Sequence, residues 1–150
     1  MIEHLTIRAN GAAFHVARLG AGQPLLLLHG WPEFWLTWEP VMARLADRYT
    51  LLAPDLRGFG GFAHYRAAHE SRIRMIKGEA RRLTPIDVPT CVRWAEHDPL
   101  FPFAWTDRLG ETFSNLDLTL FPGVGHFPHR EDPERAAAEI AAFFTRIGCS

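Results

Sequence analysis

The chain has 150 residues and a formal net charge of −1, with 47% hydrophobic and 22% charged residues. This length suits one domain with a single core, and the balanced charge gives no reason to expect a nucleic-acid or membrane partner. The two cysteines do not suggest a disulfide framework, and the N-terminal residues lack the basic start and apolar core of a signal peptide. We therefore expect a cytoplasmic protein that acts on a small-molecule substrate.

The first 60 residues predict a β-hairpin, two buried strands and a helix. Asn10-Gly11 supplies a two-residue turn between the segments "HLTIRA" and "AAFHVARL". The continuous apolar run "PLLLLHG" is typical of a strand buried on both faces of a parallel sheet, and "YTLLAPD" follows the same pattern. Apolar residues at helical spacing between these runs predict an amphipathic helix over about 34–47. This order of elements indicates a layered α/β fold.

The remaining residues predict strands alternating with helices. Apolar residues three to four apart predict a helix over about 62–83 whose basic face is solvated. The segments "VPTCVRWA" and "LDLTLF" predict strands, and Phe101, Trp105 and Leu109 mark a helix between them. Asp132 is positioned to cap a last helix that has Pro133 in its first turn. The predicted buried stripe of that helix comprises Ala136, Ile140, Phe143, Phe144 and Ile147.

Polar side chains collect at the positions where the predicted strands end. They are His29, Asp55, His97, Asp98, His126 and His129. In open α/β sheets, ligands bind outside the carboxyl ends of the strands. We therefore expect the functional site among the loops at this edge.

Three segments closely resemble α/β-hydrolases of the epoxide hydrolase and haloalkane or fluoroacetate dehalogenase branch. They are "HGWPEFWLTWEPVMARLADRYTLLAPDLRGFG", "VPTCVRWAEHDPLFP" and "FPGVGHFPHREDPERAAAEIAAFF". The resemblance implies that His126 is the general-base histidine and that Asp98 is the acid that orients it. It also implies that Tyr65, in "HYRAAHE", corresponds to a tyrosine near the end of the cap domain that donates a hydrogen bond to an epoxide oxygen.

The resemblance further implies an oxyanion pocket formed by the backbone around His29, Gly30 and Trp31, with a cis bond between Trp31 and Pro32. The chain departs from the family between "DLRGFG" and "GFAHYRAA", where family members carry the nucleophile elbow and most of the cap. The elbow pattern, Gly-X-nucleophile-X-Gly, occurs nowhere in the 150 residues. The resemblance thus implies a fold that has lost its attacking residue.

The implied fold class is α/β, a reduced α/β-hydrolase-like sheet with flanking helices, completed by dimerisation. We expect one truncated domain over 1–150, with an N-terminal hydrolase part at 1–60, a remnant cap-end helix at 61–85 and a C-terminal hydrolase part at 86–150. Removal of internal strands leaves open edges on the strand that ends at His29 and the strand that begins near Thr90. We expect a homodimer with exchanged elements to cover them, with the helix over about 62–83 as the exchanged piece.

A metal ion is one way to replace the missing nucleophile. A histidine–aspartate pair acting on water contributes about 10²–10⁴-fold, whereas working enzymes reach about 10⁶-fold or more. Bound zinc would lower the pKa of its water to about 7 and supply a hydroxide. The predicted ligands are His126, Asp98 and His29, with His97 and His129 in reserve. This hypothesis predicts metal-dependent hydrolysis of activated esters or phosphoesters.

Two alternatives remain open at the level of sequence. The chain is either a catalytically inactive remnant with a binding role, or it retains epoxide hydrolase or dehalogenase chemistry with a nucleophile supplied by another chain. Asp55 is a candidate replacement nucleophile, although the aspartate of "DLRG" is more typical of a structural residue. Cys91 lies within an apolar strand and is predicted to belong to the core.

Overall fold

The computed structural model describes residues 1–60 and 85–149. The chain divides into two compact units between residues 79 and 80, so residues 1–60 lie in the first unit and residues 85–149 in the second. The predicted helix over about 62–83, which includes Tyr65, lies outside the described residues. The predicted division into parts 1–60, 61–85 and 86–150 stays a prediction.

The first unit is built on a sheet whose described strands have the order β1-β2-β4-β3. The strands are β1 (Glu3–Ala9), β2 (Ala12–Leu19), β3 (Gln23–Leu26) and β4 (Tyr49–Pro54). Strand β2 pairs antiparallel with β1 and with β4, whereas β3 pairs parallel with β4. Asn10 and Gly11 both have positive φ, at 50° and 74°, and their neighbours Ala9 and Ala12 pair across the turn. The predicted two-residue hairpin is therefore confirmed, with the backbone that a primed turn requires.

Strand β3 lies at the edge of this sheet, with β4 as its neighbour among the described residues. Leu27 is buried on one face, but Leu26 and Leu28 on the other face are 57% and 53% exposed. The prediction of a strand buried on both faces was therefore wrong. A continuous apolar run indicates that both faces of the strand are apolar, but it does not determine whether other elements cover both faces.

The helix predicted over 34–47 is present in two pieces. A 3₁₀ helix spans Trp35–Trp38, and α1 spans Glu39–Leu45 with Pro40 in its first turn. Proline lacks the N–H that would continue a helix from the preceding turn but fits a helix start, which explains why the regular helix begins here. Val41, Met42 and Leu45 on α1 are buried in the core of the first unit. The other buried hydrophobic residues of the unit are Val16, Ala17, Leu27, Tyr49, Leu51 and Ala53.

In the described part of the second unit, β5 (Thr90–Ala95) and β6 (Leu116–Phe121) pair parallel. Its helices are a 3₁₀ helix at Phe103–Thr106, α2 (Leu109–Thr112), α3 (Pro128–Glu131) and α4 (Pro133–Arg146). The predicted cap is confirmed, since the Asp132 side chain accepts a hydrogen bond of 3.1 Å from the backbone N–H of Arg135.

The second unit has a small core of Ala95, Phe121 and Val124, with Ala136 of α4 packed against it. The remaining residues of the predicted α4 stripe are only half-buried. The helix predicted from Phe101, Trp105 and Leu109 is reduced to two short pieces, and Trp105 is 61% exposed. The two strands described in this unit offer too little apolar surface to cover these helix faces, which accounts for both differences. Among the described helices, none is long and apolar enough to cross a membrane.

Candidate active site

His126 and Asp98 meet at the carboxyl edge of the β5–β6 pair. Asp98 lies in the loop that follows β5, and His126 lies in the loop that follows β6. Because the two strands are parallel, both loops leave the sheet at the same edge. The Nδ1 atom of His126 lies 2.8 Å from Oδ2 of Asp98, so the structure joins the two residues for which the sequence predicts a base and its orienting acid.

Asp98 is fixed as an anion by its own loop. Its Oδ1 atom accepts hydrogen bonds from the backbone N–H groups of Leu100, at 2.8 Å, and Phe101, at 3.0 Å. Burial of the carboxyl would raise its pKa, but the hydrogen bonds from His126 and from these two backbone groups outweigh burial and lower the pKa of Asp98 below its usual value. An ionised carboxylate in this position stabilises positive charge on the His126 ring.

The His126 ring lies between two phenylalanine rings. Its centroid is 5.2 Å from that of Phe101 and 4.7 Å from that of Phe127, and 21% of the side chain is exposed. These contacts restrict the ring while leaving it accessible to a small molecule.

Glu131 positions the loop that carries His126, a role that the sequence reasoning missed. Its carboxylate accepts hydrogen bonds from the backbone N–H groups of Gly125, at 2.7 Å, and Phe127, at 3.0 Å, on either side of the histidine. A β-carbon at Gly125 would lie 3.2 Å from Oε1 of Glu131, so the glycine gives the carboxylate room to approach. The only sequence signal for this contact is the close spacing of "GHFPHRE", which does not distinguish it from an ordinary helix start.

His97 and His129, the reserve metal ligands, have other neighbours. The His97 side chain is 68% exposed, and its Nε2 atom lies 3.6 Å from Oε2 of Glu96. The His97 backbone N–H donates to the carbonyl of Val124 at 2.9 Å and so joins the two loops of the site. The His129 ring, on α3, faces the ring of Phe127 edge-on at 6.4 Å.

His29 lies in the first unit and is 4% exposed. The backbone N–H of Leu56 donates to its Nε2 atom at 2.9 Å, and its Nδ1 atom donates to the carbonyl of Gly30 at 2.8 Å. Both ring nitrogens are engaged, so metal coordination through His29 would require one of these hydrogen bonds to break. The predicted cis bond between Trp31 and Pro32 is confirmed.

The donor set does not fit the predicted zinc site. In residues 1–60 and 85–149, no group of three or more His, Cys, Asp or Glu side chains is arranged to hold a metal ion. A catalytic zinc requires three such protein ligands around one point. Within the described residues, the metal hypothesis is therefore without support.

Neither Asp55, which directly follows β4, nor Cys91, which lies within β5, has the surroundings of a nucleophile. Asp55 is 1% exposed, and its carboxylate contacts the His15 ring and the backbone N–H of Trp35, both at 2.9 Å. Cys91 is half-buried in β5, and burial raises the pKa of its thiol, which disfavours the nucleophilic thiolate.

Comparison with known proteins places the sequence similarity in the N-terminal part. Residues 23–68 match the family model described as alpha/beta hydrolase fold. The soluble epoxide hydrolase of Corynebacterium sp. (strain C12) is 48% identical over 59 residues, which are 39% of this chain and 21% of that protein. Epoxide hydrolase 3 of Siraitia grosvenorii is 48% identical over 60 residues, which are 39% of this chain and 19% of that protein. The chain thus covers about a fifth of the length of these curated relatives.

Solved structures resemble the whole chain at low sequence identity. An epoxide hydrolase from Vigna radiata has a TM-score of 0.78 at 15% identity, and the match covers 97% of this chain and 98% of that one. A bacterial membrane phospholipase A has a TM-score of 0.79 at 12% identity, and the match covers 99% of this chain and 87% of that one. Because proteins named for different activities match equally well, this likeness shows the fold and does not select a reaction.

Proposed function

We propose that this chain, which has the α/β-hydrolase fold and an N-terminal part similar to epoxide hydrolases, supplies the water-activating half of a hydrolase site. His126 is the general base in this proposal, and Asp98 is the residue that orients it. The observation that carries the proposal is the 2.8 Å contact between the two side chains, made by an aspartate that two backbone N–H groups hold in place.

The tautomer of His126 follows from this contact. An ionised Asp98 only accepts hydrogen bonds, so Nδ1 of His126 carries the hydrogen and Nε2 carries the lone pair. Nε2 then takes a proton from water while the water oxygen attacks the substrate, and the imidazolium that forms is stabilised by Asp98. Such a base contributes about 10²–10⁴-fold, which is less than a complete enzyme requires.

The remaining part of the reaction is assigned to a carboxylate from another chain. That carboxylate attacks a carbon of a small epoxide, the ring C–O bond breaks, the freed oxygen takes a proton from solvent, and the product is an ester between the partner and the opened substrate. Water activated by His126 then attacks the ester carbonyl, the diol oxygen leaves with the proton held by His126, and the carboxylic acid that remains releases its proton to solvent. The similarity to epoxide hydrolases supports this reaction over metal-dependent hydrolysis of activated esters or phosphoesters.

The test is complementation. The 150-residue chain is mixed with a separately expressed segment that contains a strand, a Gly-X-Asp-X-Gly turn and a helix, and diol formation from styrene oxide is measured by chromatography. We expect diol only when both components are present. A mixture no more active than the segment alone would contradict the proposal.

A matched pair of variants tests the role of Asp98. Asp98→Asn is expected to lower turnover in the mixture by about 10²-fold or more, since the amide no longer stabilises the imidazolium. Glu111→Gln makes the same chemical change in an exposed ion pair with Arg108 in the same unit and is expected to leave turnover unchanged. Equal rates for the two variants would remove Asp98 from the mechanism.

We further propose that the chain forms a homodimer with exchanged elements. The outer edge of β3 has no neighbour among the described residues, and the two leucines beside it are more than half exposed. Light scattering coupled to size exclusion should give twice the chain mass of 17.0 kDa, whereas a monomeric mass would contradict this.

A further inference from the structure

A chain of three side chains crosses the sheet of the first unit and includes neither His126 nor Asp98. His4 on β1 and His15 on β2 are diagonal neighbours, because His4 pairs with Ala17 and His15 pairs with Thr6. The His4 Nδ1 atom lies 2.9 Å from His15 Nε2, and His15 Nδ1 lies 2.9 Å from Oδ2 of Asp55. The two rings are within 14° of coplanar with centroids 5.1 Å apart, so they meet edge to edge through this hydrogen bond.

The carboxylate fixes the direction of both hydrogen bonds. Asp55 can only accept, so Nδ1 of His15 donates to it and Nε2 of His15 carries a lone pair. That lone pair accepts the Nδ1 hydrogen of His4, which leaves the lone pair of His4 on Nε2. The result is a directed path for a proton from His4 towards a buried anion.

Exposure rises stepwise along this path. Asp55 is 1% exposed, the His15 side chain is 25% exposed, and His4 lies at the surface. The Trp35 ring stands edge-on to His4 at 5.0 Å and to His15 at 6.1 Å, and the Trp35 backbone N–H donates to the other oxygen of Asp55. A buried carboxylate that is held in place and connected to a surface imidazole stabilises positive charge formed on that imidazole.

We propose that His4 is a nucleophilic histidine that accepts acyl groups from activated aryl esters. Its Nε2 lone pair attacks the ester carbonyl carbon, and the bond from that carbon to the phenolate oxygen breaks. The Nδ1 proton of the acylated ring passes to Nε2 of His15, whose positive charge is paired with Asp55. Water then adds across the acyl C–N bond, so that its OH leaves with the carboxylic acid and its H stays on His4, and His15 releases its extra proton to solvent.

The first test uses the unmodified chain and 4-nitrophenyl acetate at pH 8, with peptide mass spectrometry to locate the acetyl group. His97 serves as the internal reference, because it is also exposed but its Nε2 atom lies 3.6 Å from the Glu96 carboxylate rather than beside a second imidazole. We expect His4 to be acetylated at least about tenfold faster than His97. This factor is smaller than the roughly 10²–10⁴-fold that a fully positioned base contributes. A ratio below ten would overturn the proposal.

The second test separates the relay from simple exposure of His4. His4→Ala should abolish the fast phase of 4-nitrophenolate release, whereas Glu3→Gln, on the opposite face of the same strand, should retain it. His15→Phe, with folding checked by circular dichroism, should reduce acetylation of His4 to the rate of His97. An unchanged rate would overturn the relay, and if this variant does not fold, the ratio measured in the unmodified chain decides. Neither outcome depends on the complementation assay, because styrene oxide and the partner segment are absent.

Discussion

The His126–Asp98 pair and the His15–Asp55 pair have almost the same contact distance, 2.8 and 2.9 Å, yet they occupy different places in the fold. His126 stands in a loop that follows a strand, at the edge where α/β sheets bind ligands. His15 lies inside a strand, and its second ring nitrogen forms a hydrogen bond with the His4 ring. The distance between a histidine and a carboxylate therefore does not define the role of the histidine. The contact made by its second ring nitrogen does.

The largest expected difference between the pairs concerns stability. Asp55→Ala should lower the free energy of unfolding by about 3–5 kcal/mol, because it removes a carboxylate that is 1% exposed and leaves the His15 ring and the Trp35 backbone N–H without their acceptor. Asp98→Ala should cost about 1–3 kcal/mol, since the Asp98 side chain is 8% exposed whereas that of Asp55 is 1% exposed. Urea unfolding measures both, with Glu111→Ala as the exposed control. Equal losses for the two aspartates would contradict the contrast in burial.

A glycine substitution tests the position of the Asp55 carboxylate without changing Asp55 or His15. Gly60 has a φ of +52°, and a β-carbon there would overlap the carboxylate of Asp55. Gly60→Ala should cost about 2–3 kcal/mol of unfolding free energy. Gly11→Ala, where φ is also positive at +74° but a β-carbon would meet nothing within 4 Å, is the matched control. Similar unfolding midpoints for the two variants would show that the Asp55 carboxylate is not held against Gly60.

Acid titration of stability should reveal the contribution of the Asp98 carboxylate. The pKa of Asp98 is lowered in the folded chain, so the folded state binds protons less readily than the unfolded state at this position. The resulting stabilisation is present above the unfolded pKa of about 3.9 and is lost as the pH falls through the lower folded value. The unfolding midpoint of the unmodified chain should therefore fall more steeply between pH 5 and about 2 than that of Asp98→Asn. Parallel curves would contradict this.

The smallest expected effect is that of a chelator. If His126 acts as a base without a metal, dialysis against EDTA should leave diol formation in the complementation mixture unchanged. Loss of activity that zinc restores would return the predicted metal site to the mechanism.

Sequence reasoning found the His126–Asp98 pair because both residues follow parallel strands and lie in motifs that resemble one family. It found the hairpin because Asn10-Gly11 is a local signal. It missed the His4–His15–Asp55 chain, since the two contacts depend on the register of neighbouring strands and the His15–Asp55 contact joins residues 40 positions apart. It also predicted burial for Leu26 and Leu28, which are exposed. The hydrophobicity of a side chain indicates a preference for burial but does not determine whether another element covers that side chain.

The exposed leucines beside β3 have a practical consequence for anyone handling the protein. A short parallel strand whose outer row of backbone donors and acceptors has no neighbour in residues 1–60 and 85–149, and which is flanked by apolar side chains, is a template onto which partly unfolded chains can add. Precipitation should therefore set the upper limit on the working concentration of the protein. Leu26→Lys should raise that limit, because a charged side chain beside the strand opposes the addition of another chain.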